Sequence, residues 1–485
     1  MLICLFFIVW TEHDNRLKGM LMDIRKIGYV SVAKLATALC LALLAGCSSI
    51  PTMAPDMAMR PSRPVQLDGA HGPLTAKQSK AILARLKKNG EDTNIFDKHL
   101  ALEAEIVGSP LVAGNKVELL VDGPTTYNSM FAAIEKAKDH INMETYIIED
   151  DEIGRHFAEL LIGKQRSGVQ VNLIYDSVGA INTPKEFFNL LKESGVNVLE
   201  FNPVNPLLAR NGWQVNRRDH RKLLIVDGQV AFVGGINISS VYSSGSFGRS
   251  RSSKNNTPWR DTHLQMAGPV VSEFQKLFMA TWSEQKGEPL APGNYFPEPA
   301  SKGNEVVRAI GSSPEEPYSQ IYVTLLSAIN SAETQVSLTN AYFVPDPQLL
   351  AALKEAVQRG VEVRLLLPEK IDSVLVYYAS RSYYDELLSA GVKIYQRQDA
   401  LLHAKTALID GVWSTVGSTN LDWRSFLHNQ EIDAVMLGQG FGAQMQAMFE
   451  KDLESSKLVT LEAWRKRSIG TRIKERAARL WAHWL

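Results

Sequence analysis

Past residue 47 the 485-residue chain contains no cysteine, since Cys4, Cys40 and Cys47 all fall in an apolar leader. The folded part therefore forms no disulfide and builds no metal centre on thiolates. Nor is there an excess of either charge. Lys+Arg and Asp+Glu each number 52, so no global field draws nucleic acid to the chain, and any basic surface is local. Beyond the leader no apolar run reaches the roughly 20 residues that a membrane-spanning helix takes. Present instead are 45% hydrophobic and 21% charged residues, the balance of a folded globular protein. At about 150 residues per unit the length implies roughly three units, read here as two large ones with small additions.

The leader reads as an address rather than as fold. From Met22 onward, Arg25 and Lys26 precede an apolar stretch through Leu41–Leu44 that closes in "LAGC" at Cys47. That resembles a bacterial lipoprotein signal in which Cys47 is lipidated and becomes the mature N-terminus; a plain signal peptide or an uncleaved anchor is the alternative. Ser48 next to it fits an outer-membrane destination better than an inner-membrane one. The expected place is the cell envelope, facing the periplasm.

Residues 1–47 are then a signal, and the Pro-, Met- and Ser-rich residues 48–75 a flexible tether. After a helix near Ala76–Lys88, strand-like segments ("KVELLVDG", "INMETYII", "VQVNLIYD") alternate with amphipathic helical ones. The pattern recurs downstream: both repeats have a helix ended by glycine before Val-x-Val, at Gly168 and Gly360, and a second such junction in "ESGVNV" and "SAGVKI". A long-period duplication explains this. The expected fold is α/β: two duplicated domains, 76–300 and 301–460, with mixed, largely parallel sheets, helices on both faces and a pseudo-two-fold relation. A basic amphipathic helix over 461–485 follows. The Ser/Gly/Arg insertion before Arg260 reads as a lid or as disordered filler.

The duplication carries chemistry. "HRKLLIVDG" begins at His220 and "HAKTALIDG" at His403; His220, Lys222, Asp227 and Asn237 recur as His403, Lys405, Asp410 and Asn420 at identical offsets. Residues two apart on a strand share a face, so each half offers an imidazole and an ammonium together, with the asparagine returned beside them after a hairpin. Two such half-sites suit a phosphodiester. Lys222, Lys405, Asn237 and Asn420 supply fixed donors to the anionic oxygens. One neutral histidine attacks phosphorus while the other, protonated, serves the departing alkoxide. No metal or other cofactor is required. Asp261 and Glu431 are the candidates to orient the imidazoles, because each opens the strand after an asparagine loop. Of the remaining histidines only His263 and His428 lie near the motifs.

With these residues in place, the sequence resembles the phospholipase D superfamily, and "HRKLLIVDGQVAFVGGINI", "WRDTHLQMAGPVV" and "GSTNLDWRSFLHNQE" look most like its bacterial cardiolipin synthases. The resemblance implies that His220 is the nucleophile and His403 the acid and then base, although the symmetry leaves the reverse open. It implies that Asp227 and Asp410 support the motif rather than touch phosphorus. It implies phosphatidyl transfer from a phosphatidylglycerol-like lipid to a lipid hydroxyl. Hydrolysis as a phospholipase D, a nucleic-acid phosphodiesterase favoured only by Arg249 and Arg251, and an inactive lipid-binding scaffold are the rivals; no nucleic acid partner is expected. At helical spacing Trp464, Ile469, Ile473, Ala477, Leu480, Trp481 and Trp484 share one side of the last segment among many Arg and Lys residues, which suits an anionic membrane surface.

Overall fold

A computed structural model describes residues 65–87, 93–205, 214, 216–243 and 257–485. The signal, Cys47, the tether up to residue 64 and the Arg249 and Arg251 loop lie outside the described residues. The end of the expected tether is structured: Leu67–Gly69 forms strand β1. It is followed by helix α1 (Ala76–Leu86), which opens in a Thr75–Gln78 capping box.

In the first half, strand β2 (Leu111–Leu120) leads to α2 (Gly123–Lys136), β3 (His140–Thr145), α3 (Glu152–Arg166), β4 (Gln170–Asp176), α4 (Lys185–Glu193) and β5 (Asn197–Phe201). Short β6 (Arg218–Asp219), the hairpin β7 (Lys222–Val226) and β8 (Val230–Gly234), short β9 (Trp259–Arg260), β10 (His263–Ala267) and α5 (Val271–Glu284) complete it. The second half repeats the plan with β11 (Glu305–Ser312), α6 (Gln320–Ser331), β12 (Gln335–Thr339), α7 (Pro347–Gln358), β13 (Glu362–Pro368), α8 (Val374–Arg381), α9 (Tyr384–Ala390) and β14 (Lys393–Arg397). It ends in short β15 (Leu401–Leu402), the hairpin β16 (Thr406–Ile409) and β17 (Trp413–Gly417), α10 (Trp423–Leu427), β18 (Asn429–Leu437), α11 (Gln439–Glu454) and β19 (Ser456–Val459).

Local chemistry explains the boundaries. Asp151 caps α3 through Gly154 N–H, and Asp346 caps α7 through Gln348 N–H. Gly168, Gly195, Gly360 and Gly391 end their helices at φ of 91°, 90°, 89° and 96°, where a side chain is strained. These are the paired glycine junctions that marked the duplication.

Strand order is β5-β4-β3-β7-β8-β10-β2 in one half and β11-β18-β17-β16-β12-β13-β14-β19 in the other, mirror-like about an antiparallel β2–β11 seam. Pairing is parallel where helices cross over, as in β3–β4–β5 and β12–β13–β14. It is antiparallel wherever a motif returns as a hairpin, so antiparallel pairs take a larger share than strand–helix alternation suggests. The sheet runs unbroken across the expected boundary at 300/301. One apolar cluster draws on both halves, joining Leu223, Leu264 and Phe278 to Val307, Leu408 and Met436.

The C-terminal segment differs from the single helix expected. It breaks at 466–468 into α12 (Leu461–Arg465) and α13 (Ile469–Arg479), because Ser468 caps a new helix through Thr471 N–H. Trp464 leaves the proposed outer side: it is buried, with the Arg381 and Arg467 guanidinium groups over its ring. No helix among the described residues is long and apolar enough to cross a membrane.

Candidate active site

Each histidine sits where a short strand of one half crosses to the other. Strand β6 runs parallel to the start of β18, and His220 N–H donates to Gln430 O (2.9 Å). Strand β9 runs parallel to β15, and His403 N–H donates to Arg260 O (2.7 Å). These crossings bring acids from the opposite half under the rings. His220 Nδ1 lies 3.1 and 3.0 Å from the two carboxylate oxygens of Glu431. His403 Nδ1 lies 2.6 Å from Asp261 Oδ2. Glu431 is itself held by Ser418 Oγ (2.5 Å) and Asn429 Nδ2 (3.2 Å). At the position equivalent to Ser418 the first half has Gly235, where a Cβ would meet Asp261 Oδ1 at 2.2 Å. The acid and its neighbour are therefore matched in size within each half.

Both lysines are buried, Lys222 at 2% exposure and Lys405 at 3%. Each donates one N–H to the carbonyl of its own histidine, Lys222 to His220 O at 2.5 Å. An ammonium has three donors, so two on each remain for a ligand. Burial drives Lys222 down to about 7, with Glu431 opposing and Lys405 reinforcing the drop, and burial likewise lowers Lys405 to about 8.

The two histidines are not equivalent. Burial, then Lys222, Lys405 and His403, hold His220 well below the usual imidazole range. His403 is also lowered by burial and Lys405, but the charge and hydrogen bond of Asp261 pull against this. Burial would raise Asp261, yet its contacts with His403 and Lys405 outweigh it and hold the carboxylate below its ordinary value. Burial raises Glu431 to about 7 despite Lys222. Burial and the neighbouring cations thus act together on His220, whereas on His403 the Asp261 carboxylate opposes them.

The two asparagines differ in their surroundings. Asn237 Oδ1 accepts from Ile147 N–H (3.2 Å), and its Nδ2 donates to the Tyr242 hydroxyl (3.1 Å). That hydroxyl lies 3.3 Å from His403 Nδ1. Asn420 is buried and its Oδ1 has no hydrogen-bond partner.

Asp227 and Asp410 stand apart from the others. Each follows a motif strand at φ of 53° and 52°. Asp227 accepts from the backbone N–H groups of Lys138, Asp139 and His140, and Asp410 from those of Glu333, Thr334 and Gln335. Strand β7 alone separates Asp227 from Lys222 by roughly 16 Å at about 3.3 Å per residue. Through these contacts each aspartate ties its hairpin to the neighbouring strand. His263 is buried without a polar partner in β10, and His428 ends α10.

Aromatic walls that the motif offsets do not reveal line both halves of the site. Tyr146 lies 5.0 Å from the His220 ring with Lys222 Nζ over its face, while Trp259 (5.3 Å), Tyr242 (5.9 Å) and Tyr342 (6.4 Å) surround His403. The Tyr342 hydroxyl donates to Asp372 at 2.6 Å. Their signal was an aromatic just past the end of the strand beside each motif, at Tyr146 after β3 and Tyr342 after β12.

With this geometry in view, comparison with known proteins is informative. The family model described as "Cardiolipin synthase, PLD-like domain" matches residues 130–278 and 325–453. The cardiolipin synthase of Geobacillus kaustophilus is 36% identical over 79% of this chain and 74% of its own length. Cardiolipin synthase A of Pseudomonas putida is 37% identical over 73% and 71%. The crystal structure of the phosphatidylserine synthase of Haemophilus influenzae superposes with a TM-score of 0.58 at 13% identity, over 79% of this chain and 99% of that one, a likeness of fold.

Proposed function

Because the chain belongs to the cardiolipin synthase branch of the phospholipase D superfamily, we propose that it passes a phosphatidyl group from a phosphatidylglycerol-like lipid to another lipid's hydroxyl through a phosphohistidine. That it is a phospholipid phosphatidyltransferase follows from the family; the covalent route is the reading offered here. The observation that carries it is the crossed pair of histidine–carboxylate contacts flanked by two buried lysines.

In the first step His220 Nε2 attacks phosphorus and the bond to the departing glycerol oxygen breaks, that oxygen taking the proton of His403. In the second, the now neutral His403 removes the proton of the acceptor hydroxyl, whose oxygen attacks phosphorus. The P–N bond breaks and both histidines return to their starting states. Glu431 keeps the Nδ1 side of His220 occupied, so Nε2 faces the phosphodiester. Lys222 and Lys405 offer their free N–H groups to the anionic oxygens as charge builds, and Asn237 and Asn420 add amide donors. The unequal pull on the two rings favours His220 as nucleophile and His403 as acid.

The test is product analysis with purified protein and phosphatidylglycerol, together with trapping by denaturation in alkali, where a P–N bond survives. Diphosphatidylglycerol plus glycerol is expected. Phosphatidate as the main product would instead mean that water is the acceptor and the protein a hydrolase. In His403→Ala a phosphatidyl adduct on His220 should accumulate with a substrate whose leaving group needs no acid; an adduct on no histidine overturns the covalent route.

The same reading includes association with a membrane surface in the bacterial cell envelope, by a lipid on Cys47, with the periplasmic face of the outer membrane favoured by Ser48. Labelled palmitate incorporated by the native chain but not by Cys47→Ala would support this anchor, and equal labelling would remove it.

A further inference from the structure

The last 17 residues pack inside out. Glu475 and Ala478 of α13 face the protein, Glu475 meeting Arg467 at 2.8 Å and Arg381 at 3.8 Å. Ile469, Ile473 and Leu480 face away at 76%, 61% and 75% exposure, and Trp484 just past the helix at 58%. At about 100° per residue Ile469, Ile473 and Leu480 form one stripe, opposite the buried side, with Trp484 exposed beyond its end. A helix normally hides such a stripe. Here Arg472, Arg476 and Arg479 run along one margin, edging a cleft of about 890 Å³ against α7 and α9, and Lys474 lies on the other.

The end of the chain is tied to the segment that links Asn420 to Glu431. The backbone N–H of Arg424 in α10 donates to Leu485 O at 2.7 Å, and α10 lies between Asn420 and Glu431. Helix α8, the partner of α13, begins with Val374 (71% exposed) and Leu375 (42%), two residues after Asp372, which holds the Tyr342 hydroxyl beside His403. The equivalent loop of the first half, after β4, exposes Ile181 (63%) and packs on the backbone of Tyr146 beside His220. Apolar side chains thus protrude from the segments that follow β4 and β13, the equivalent strands of the two halves.

We propose that this rim and the α13 stripe form one docking face for an anionic phospholipid bilayer. The aliphatic side chains enter the acyl boundary, the arginines meet headgroup phosphates, and the histidines sit over the bilayer surface. The occupant follows from the chemistry of the face: an apolar stripe with cationic margins matches an anionic interface, and the proposed substrates reside in one. The proposal rests on the lipid-substrate reading, and its test separates the two.

In full-length protein with its three cysteines changed to serine, an environment-sensitive fluorophore is placed on Ile473→Cys, on Leu375→Cys and, as control, on Leu190→Cys, an exposed leucine of α4. With vesicles of phosphatidylcholine and phosphatidylglycerol, emission at 473 and 375 should shift to the blue, and that at 190 should not. Ile473→Ser with Leu480→Ser should lower turnover of vesicle phosphatidylglycerol about tenfold while leaving turnover of monomeric short-chain phosphatidylglycerol unchanged. Equal shifts at all three sites, equal shifts with phosphatidylcholine alone, or a shift at 473 that appears without vesicles as protein concentration rises would overturn the proposal, the last pointing to a second copy of the chain. Absence of turnover on every phosphatidylglycerol by the unsubstituted protein would remove the functional reading and leave the docking result standing.

Discussion

At the scale of single residues, the site depends on charges held away from water. With Lys222 lowered to about 7 and Lys405 to about 8, the donors proposed for the phosphodiester should weaken as pH rises through that window, and turnover is expected to fall on the alkaline side. Glu431 acts in the opposite direction on Lys222, its negative charge helping to retain the ammonium proton. Glu431→Gln removes that charge, and the alkaline limb of the kcat/KM profile is expected to move to lower pH. Asp261→Asn deprives His403 of the charge that raises it, and kcat should drop by about 10²-fold or more. It should drop much less for a substrate whose leaving group needs no proton. A pH series on the two variants with both substrates checks the assignment, and identical profiles would contradict it. The histidines, lysines and both acids were legible in the sequence because a strand's period of two and a repeated offset are local signals. Which acid served which ring was not, because Glu431 reaches His220 only through the β6–β18 crossing, a contact between residues 211 positions apart.

At the scale of elements, each motif is a hairpin pinned at its far end by an aspartate in the left-handed region. Asp227 gathers three backbone N–H groups of the loop leading into β3, and Asp410 gathers three leading into β12. Removing the carboxylate leaves those donors unpaired and places alanine at a φ of 53°. Asp227→Ala is therefore expected to cost about 3 kcal/mol of stability, read as a lower urea midpoint, while kcat changes only a few-fold. Asp227→Asn, which tolerates that conformation and keeps one acceptor, should lose roughly half as much. A fall in kcat of the size caused by losing a histidine would return Asp227 to the chemistry. This division of labour was half visible in the sequence: offset parity separated Asp227 from His220 and Lys222, but its partners lie in another element. The same limit explains the C-terminal segment. Its composition marked an amphipathic helix, yet Ser468 capping α13 and the Arg381–Trp464–Arg467 stack turned Trp464 inward.

For the molecule as a whole, the duplication suggested two bodies meeting at a cleft, and the structure joins them more closely. Strands β2 and β11 pair across the seam, and Val307, Leu408 and Met436 of one half share an apolar cluster with Leu223, Leu264 and Phe278 of the other. Neither half carries a complete site, since each histidine takes its carboxylate from across the seam. A chain of this length commonly unfolds domain by domain. A shared core removes the condition for that, because exposing one half uncovers apolar surface of the other. Phe278→Ala, which empties a fully buried ring position within the shared cluster, is expected to cost about 3–5 kcal/mol. It should lower one transition, with near-UV signal, far-UV signal and turnover lost together. Were the halves independent, the same substitution would split the curve, displacing only the transition of the half that holds α5 and leaving the other where it was.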